Sequence, residues 1–118
     1  MRTLGQKRAE FALKKVLEIT DSQKKEKFKH FSAGAPSMIL QNGFGQALAF
    51  WLAKGKDEHL TMFNIIKEWL CENNFASGND TAEFIGNLAE MEQSQYLTAQ
   101  KESLAMLEWV KRYANAGL

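Results

Sequence analysis

The chain has 118 residues, 45% of them hydrophobic, and a net charge of +1. That length suits one domain around one core, and the apolar fraction excludes a disordered chain. The lone Cys71 excludes an internal disulfide framework and fits a reducing cytoplasm, where we expect the protein to work.

The net charge conceals an asymmetry. Residues 1–30 hold nine bases and four acids, whereas residues 31–118 hold six bases and ten acids. A basic end on an acidic body suits polyanion binding, head-to-tail subunit contact, or an ordinary solvated face. The N-terminal MRTLGQKRAEF lacks the apolar stretch of a signal peptide. No apolar run approaches the ~20 residues that span a bilayer.

With one proline and little β-branched alternation, helix is expected throughout. The first helix is predicted over about Thr3–Thr20, with Ala9, Ala12, Leu13, Val16, Leu17 and Ile19 on one apolar face. Asp21-Ser22 breaks the chain and caps a second helix that runs to about Ala33, with Phe28 and Phe31 inward. Gly34-Ala35-Pro36 is expected to end it, and a short helix over about Ser37–Gln41 follows. Asn42-Gly43 reads as a turn.

From Phe44 to Ala53 only Gln46 is polar, so this helix is expected to be wrapped on every side by others. Gly43/Ala47 and Gly45/Ala49/Ala53 form small strips that allow close backbone approach. Met62, Phe63, Ile65, Ile66, Trp69 and Leu70 then mark an amphipathic helix. After a polar loop over Asn73–Asn79, Asp80 and Glu83 have the spacing of a capping box for a helix reaching about Glu90. Ser94 is the expected cap of the last helix, which ends near Asn115–Gly117. The predicted fold is all-α: a single-domain bundle, residues 1–118, of six or seven helices, several of them short.

Two residues stand out from these patterns. Phe11 lies on the polar side of the first helix, ringed by Lys7, Arg8, Lys14 and Lys15 at three- and four-residue spacings. Charges around a flat ring suit a sequence-independent nucleic-acid contact, with the bases on phosphates and the ring on a base or sugar. The alternative is that Phe11 packs under another helix and the bases merely rim it. Lys24, Lys25 and Lys29 extend the basic region into the second helix. Trp109 falls outside the apolar side of the last helix, and is either covered by a second layer or serves as a protein-interface anchor.

His30, His59 and Cys71 have no zinc spacing, and no phosphate loop, nucleophile motif or paired-carboxylate motif is present. We therefore expect no catalytic residues, no metal and no cofactor. No short helix bearing base-reading residues follows a tight turn, which weakens a helix-turn-helix reading.

Three segments carry a family resemblance. NGFGQALAFWLAK, the N-terminal AEFALKKVLEI and the C-terminal YLTAQKESLAMLEWVKRYANAGL resemble the small subunit of the Cmr complex, the type III-B CRISPR effector. They cover roughly half of the chain, in the family's order. The resemblance implies a non-enzymatic subunit that stacks on copies of itself and on the backbone subunits, and meets the large subunit at one end. It also implies contact with crRNA and target RNA along the channel, with cleavage left to other subunits. Lys7, Arg8, Phe11, Lys14, Lys15, Lys24, Lys25 and Lys29 are the candidate RNA contacts. A protein-only adaptor, whose basic end meets an acidic neighbour, is the competing expectation.

Overall fold

Local signals start and stop most of the helices. Thr3 accepts from the Gln6 N–H at 3.1 Å while the Gln6 side chain accepts from the Thr3 N–H at 2.9 Å, a reciprocal cap that opens α1, Leu4–Leu17. Asp21 accepts from the N–H groups of Gln23 and Lys24 and opens α2, Ser22–Asn42. Gly43, at φ 90°, turns the chain into α3, Phe44–Lys54. The remaining helices are α4, Asp57–Glu72, α5, Thr81–Glu90, and α6, Gln93–Asn115. Asp80 caps α5 as expected, although Glu83 accepts from the N–H of Asn79 rather than that of the cap residue. Glu92, not Ser94, precedes α6 and gives no side-chain cap.

The computed structural model describes residues 1–118 as these six helices, without a strand. α6 packs along both α1 and α2, and α4 packs against α1, α2, α3 and α6. One cluster of 21 buried apolar residues joins them, from Ala12 of α1 to Val110 of α6. Trp51 is fully buried, its Nε1 donating to Met38 Sδ at 3.4 Å and its ring edge-on to Phe31.

Three expectations need correction. α2 does not stop at Ala33 but continues as one 21-residue helix through Pro36 to Asn42. A mid-helix proline loses a hydrogen bond and crowds the carbonyl four residues back, at a cost of roughly 3 kcal/mol. Here burial of Phe28, Ser32, Ala35, Pro36 and Ile39 against the neighbouring helices offsets that cost. Second, α3 is not wrapped on all sides. Phe44, Ala47, Leu48 and Trp51 are buried, but Ala49, Ala53 and Phe50, at 49% exposure, face outward. Third, α1 is rotated about its axis and ends at Leu17 rather than near Thr20. Leu17 is 55% exposed, while Arg8, Phe11 and Lys15 on the supposedly polar side are partly buried.

The cause of that rotation is Glu102, a carboxylate only 6% exposed on α6. Its Oε1 accepts from Arg8 Nε and from Trp69 Nε1, the latter at 2.9 Å, and its Oε2 accepts from Arg8 Nη2 at 2.8 Å. One carboxylate thereby ties α1 and α4 to α6. Burial alone would raise its pKa, but the hydrogen bonds from Arg8 and Trp69 and the Arg8 charge hold it below the ordinary value of 4.5.

Two predictions come from this packing. Trp51→Ala should cost about 3–5 kcal/mol, the range for a buried aromatic truncated to alanine, and denaturant unfolding should show it as a lower midpoint. Glu102→Gln should cost about 2–3 kcal/mol, short of the loss for a fully buried pair because Arg8 keeps some contact with water. Because the folded pKa of Glu102 is depressed, its stabilisation is complete above 4.5 and is lost as pH falls through the folded value. Asp21, lowered by the N–H groups of Lys24 and Gln23, adds to the same acid limb. The stability gap between wild type and Glu102→Gln should therefore narrow with acidification, and a gap constant from about pH 7 to about pH 2 would contradict the assignment.

Candidate nucleic-acid interface

The structure divides the ring of bases around Phe11. Arg8 forms a two-pronged ion pair with Glu102, and that bond raises its pKa. Lys15 Nζ lies 2.7 Å from Glu68 and 3.6 Å from Glu18. Burial would lower its pKa, but those two carboxylates raise it on balance. Phe11 packs on Trp69 with ring centroids 5.2 Å apart, and Lys15 Nζ sits over the Phe11 ring at 5.4 Å. The Phe11 ring is thus held between α1 and α4. Lys7 and Lys14 are exposed and make no ion pair.

The bases of α2 divide as well. Lys24 stands a loose 3.9 Å from Asp57, on the side facing α4. There a depression of about 850 Å³ is lined by Lys24, Lys27 and Lys56, but also by Asp21, Asp57 and Glu58. Opposite charges cancel much of its field. His59 lines the same depression, 4.2 Å from the Phe31 ring centroid, and burial lowers its pKa.

Lys25 and Lys29 lie on the other side of α2, toward α6. The two helices run antiparallel, so Lys25 lies near Gly117 and Leu118 while Lys29 lies near Arg112 and Asn115. Lys29, Lys111 and Arg112, with Ala33 and Asn115, line a depression of about 260 Å³ that has no carboxylate in its wall. Glu108 is three and four residues before Lys111 and Arg112, yet pairs with neither. Sequence reasoning missed Lys111 and Arg112 because they are separated from the basic N-terminal region by most of the chain.

Trp109 is 36% exposed and lies against Tyr113, with ring centroids 5.7 Å apart. No helix covers its outer side completely. Glu102, also missed, had a signal: it is an acid three residues after Ala99 and four before Met106, on the apolar stripe of α6. No group of three or more His, Cys, Asp or Glu side chains is placed to hold a metal ion, and no helix is long and apolar enough to cross a membrane. Burial raises the pKa of the half-buried Cys71 thiol, partly countered by Lys67.

Comparison with known proteins gives a consistent result. A family model described as CRISPR-associated protein (Cas_Cmr5) matches residues 4–117. The CRISPR system Cmr subunit Cmr5 of Thermus thermophilus is 33% identical over 116 residues, covering 98% of this chain and 96% of that protein. The Cmr subunit Cmr5 of Thermotoga maritima is 30% identical over 122 residues, covering 95% and 82%. The X-ray structure of a CRISPR-associated Cmr5 family protein from Thermus thermophilus superposes with a TM-score of 0.82, at 33% identity and over 98% and 97% of the two chains. The match spans every helix from α1 to α6, well beyond the three segments that carry the resemblance in sequence, and the chain belongs to the CRISPR-associated Cmr5 family.

Proposed function

We propose that this chain is the small subunit of a cytoplasmic type III-B Cmr effector complex, and that it holds RNA by charge without performing chemistry. The family membership supports the subunit role, since the two relatives are themselves Cmr subunits. On this reading the chain packs against copies of itself and against the backbone and large subunits, and Trp109 is an anchor in one of those contacts. The crRNA and target RNA run past its basic surfaces.

The observation that carries the RNA contact is that four of the bases expected to touch RNA are uncommitted. Lys7 and Lys14 project from α1, and Lys25 and Lys29 from α2, none of them ion-paired. Free charges of this kind neutralise phosphates without reading bases, which suits a complex whose sequence is read by guide–target pairing. Lys24 stands beside them, loosely tied to Asp57. Arg8, Lys15 and Phe11 act one step back, by fixing the helix that presents Lys7 and Lys14.

The test is a comparison of charge reversals in the assembled complex. Lys7→Glu/Lys14→Glu and Lys25→Glu/Lys29→Glu should each weaken RNA retention, similarly for unrelated RNA sequences. The slope of log affinity against log salt should shrink by about 0.7–0.9 for each phosphate no longer neutralised. Thermal stability should hold, because these side chains have no partners to lose. Phe11→Ala should instead lower stability first, by about 2–3 kcal/mol, less than for a fully buried aromatic. If both double reversals leave RNA retention and target cleavage intact, the chain is better read as a protein-only adaptor.

A further inference from the structure

Among the charged surfaces, the depression between α2 and α6 is the one whose wall concentrates one sign. Lys29, Lys111, Arg112 and Asn115 line it, and Ala33 is the one apolar residue in the wall. Three like charges around a space of about 260 Å³ repel one another. The negative end of the α6 dipole relieves part of that repulsion. No carboxylate relieves the rest, since neither Glu108 nor Glu26 pairs with any of the three, and Glu26 faces His30 at 3.1 Å.

We propose that this notch is a phosphodiester-binding site, in which Lys29, Lys111, Arg112 and Asn115 grip one phosphate of an RNA strand. The inference rests on the RNA-holding role proposed above and deepens it by assigning two residues, Lys111 and Arg112, outside the N-terminal basic region.

The chemistry of the wall favours phosphate. Its side chains offer a guanidinium fork, two ammonium groups and an amide, donors enough for the several oxygens of a tetrahedral anion. The notch is also small. An acidic peptide segment would need apolar sockets or backbone partners beside the charges, and Ala33 alone supplies none. Lys25 continues the track one turn before Lys29, about 6 Å along the helix. That step is similar to the spacing of neighbouring phosphates in an extended strand.

The experiment titrates the full chain, labelled for amide NMR, with three probes: single-stranded oligouridine, inorganic phosphate and hexaglutamate. Oligouridine should shift the resonances of Lys29, Lys111, Arg112 and Asn115, and phosphate should shift the same set more weakly. Lys111→Gln/Arg112→Gln should weaken oligouridine about tenfold or more at low salt, the scale of removing one charge-assisted bond. It should also shrink the salt slope by about 0.7, for the one single-strand phosphate no longer neutralised. Charge-neutral glutamines keep the helix intact, so a folding defect does not cloud the result.

If Lys7→Glu/Lys14→Glu abolishes oligouridine binding while Lys111→Gln/Arg112→Gln leaves it unchanged, the notch is overturned and the RNA-holding role survives. Shifts from hexaglutamate without shifts from oligouridine or phosphate would overturn the notch in favour of an acidic protein partner. Absence of salt-dependent oligouridine binding to the chain, together with unimpaired RNA retention by complexes carrying each charge reversal, would remove both readings.

Discussion

The orientation of α1 against α4 and α6 depends on one buried negative charge. Glu102 stands in the apolar seam of α6 and needs donors to be tolerated there. Arg8 fills two of its lone-pair sites and Trp69 a third. Meeting that demand turns the polar side of α1 inward, because Arg8 is the residue that must reach. Phe11 and Lys15, on the same side, are carried with it against Trp69 and Glu68. Leu17 is left at the surface as the counterpart of the same rotation. An isolated buried pair often adds little net stability over an apolar substitute. What this one supplies is register: a slip of α1 by one residue would break both Arg8 bonds and leave Glu102 underpartnered.

The same interaction sorts the cations. Reading the sequence as a wheel groups Lys7, Arg8, Lys14 and Lys15 as one basic face around Phe11. In three dimensions that face is divided along its length. Arg8 and Lys15 neutralise carboxylates of α6 and α4, and Lys7 and Lys14 remain free. A charge already 2.7 Å from a carboxylate, as in Lys15, contributes little field to a passing polyanion, whereas a solvated and unpaired one contributes its full screened charge. Positive potential therefore belongs to fewer residues than the count of bases in the N-terminal region suggests. It is supplemented from the far end of the chain, where α6 brings Lys111 and Arg112 beside Lys29.

Much of this fold is legible in the residues alone, and the failures have physical causes. The stripe from Met62 to Leu70 is buried in full, since a clean helical period on a central helix leaves no choice of face. Asp80 caps the helix it is expected to cap, and of the Asp21-Ser22 pair expected to open α2 it is Asp21 that caps, because those bonds are local. Pro36 misleads because its cost is local and its compensation is tertiary: the packing of Ser32, Ala35 and Ile39 on neighbouring helices is invisible in a short window of sequence. The candidate site is half legible for a related reason. Spacing reveals which residues share a helix face, but not which carboxylates from distant helices will consume them. Glu68 and Glu102 lie 53 and 94 positions from their partners Lys15 and Arg8.

The open side of α3 shows the limit that six helices impose. α3 touches α2, α4 and α5, and these cover Phe44, Ala47, Leu48 and Trp51. Its N-terminal turn is held close by Tyr96, whose hydroxyl accepts from the Gly45 N–H at 2.6 Å. A Cβ at Gly45 would come within 2.9 Å of that oxygen, so the small residue there is a condition of the contact. With α6 anchored at that end, nothing covers Ala49, Phe50 and Ala53, and Lys54 stands over the Phe50 ring at 5.9 Å. Lys54 is the one cation at this strip, whereas the notch between α2 and α6 gathers three around Ala33 and Asn115. The cations proposed to hold RNA stand on α1, α2 and α6 rather than on α3, so substitutions that remove them leave the residues of the apolar strip unaltered.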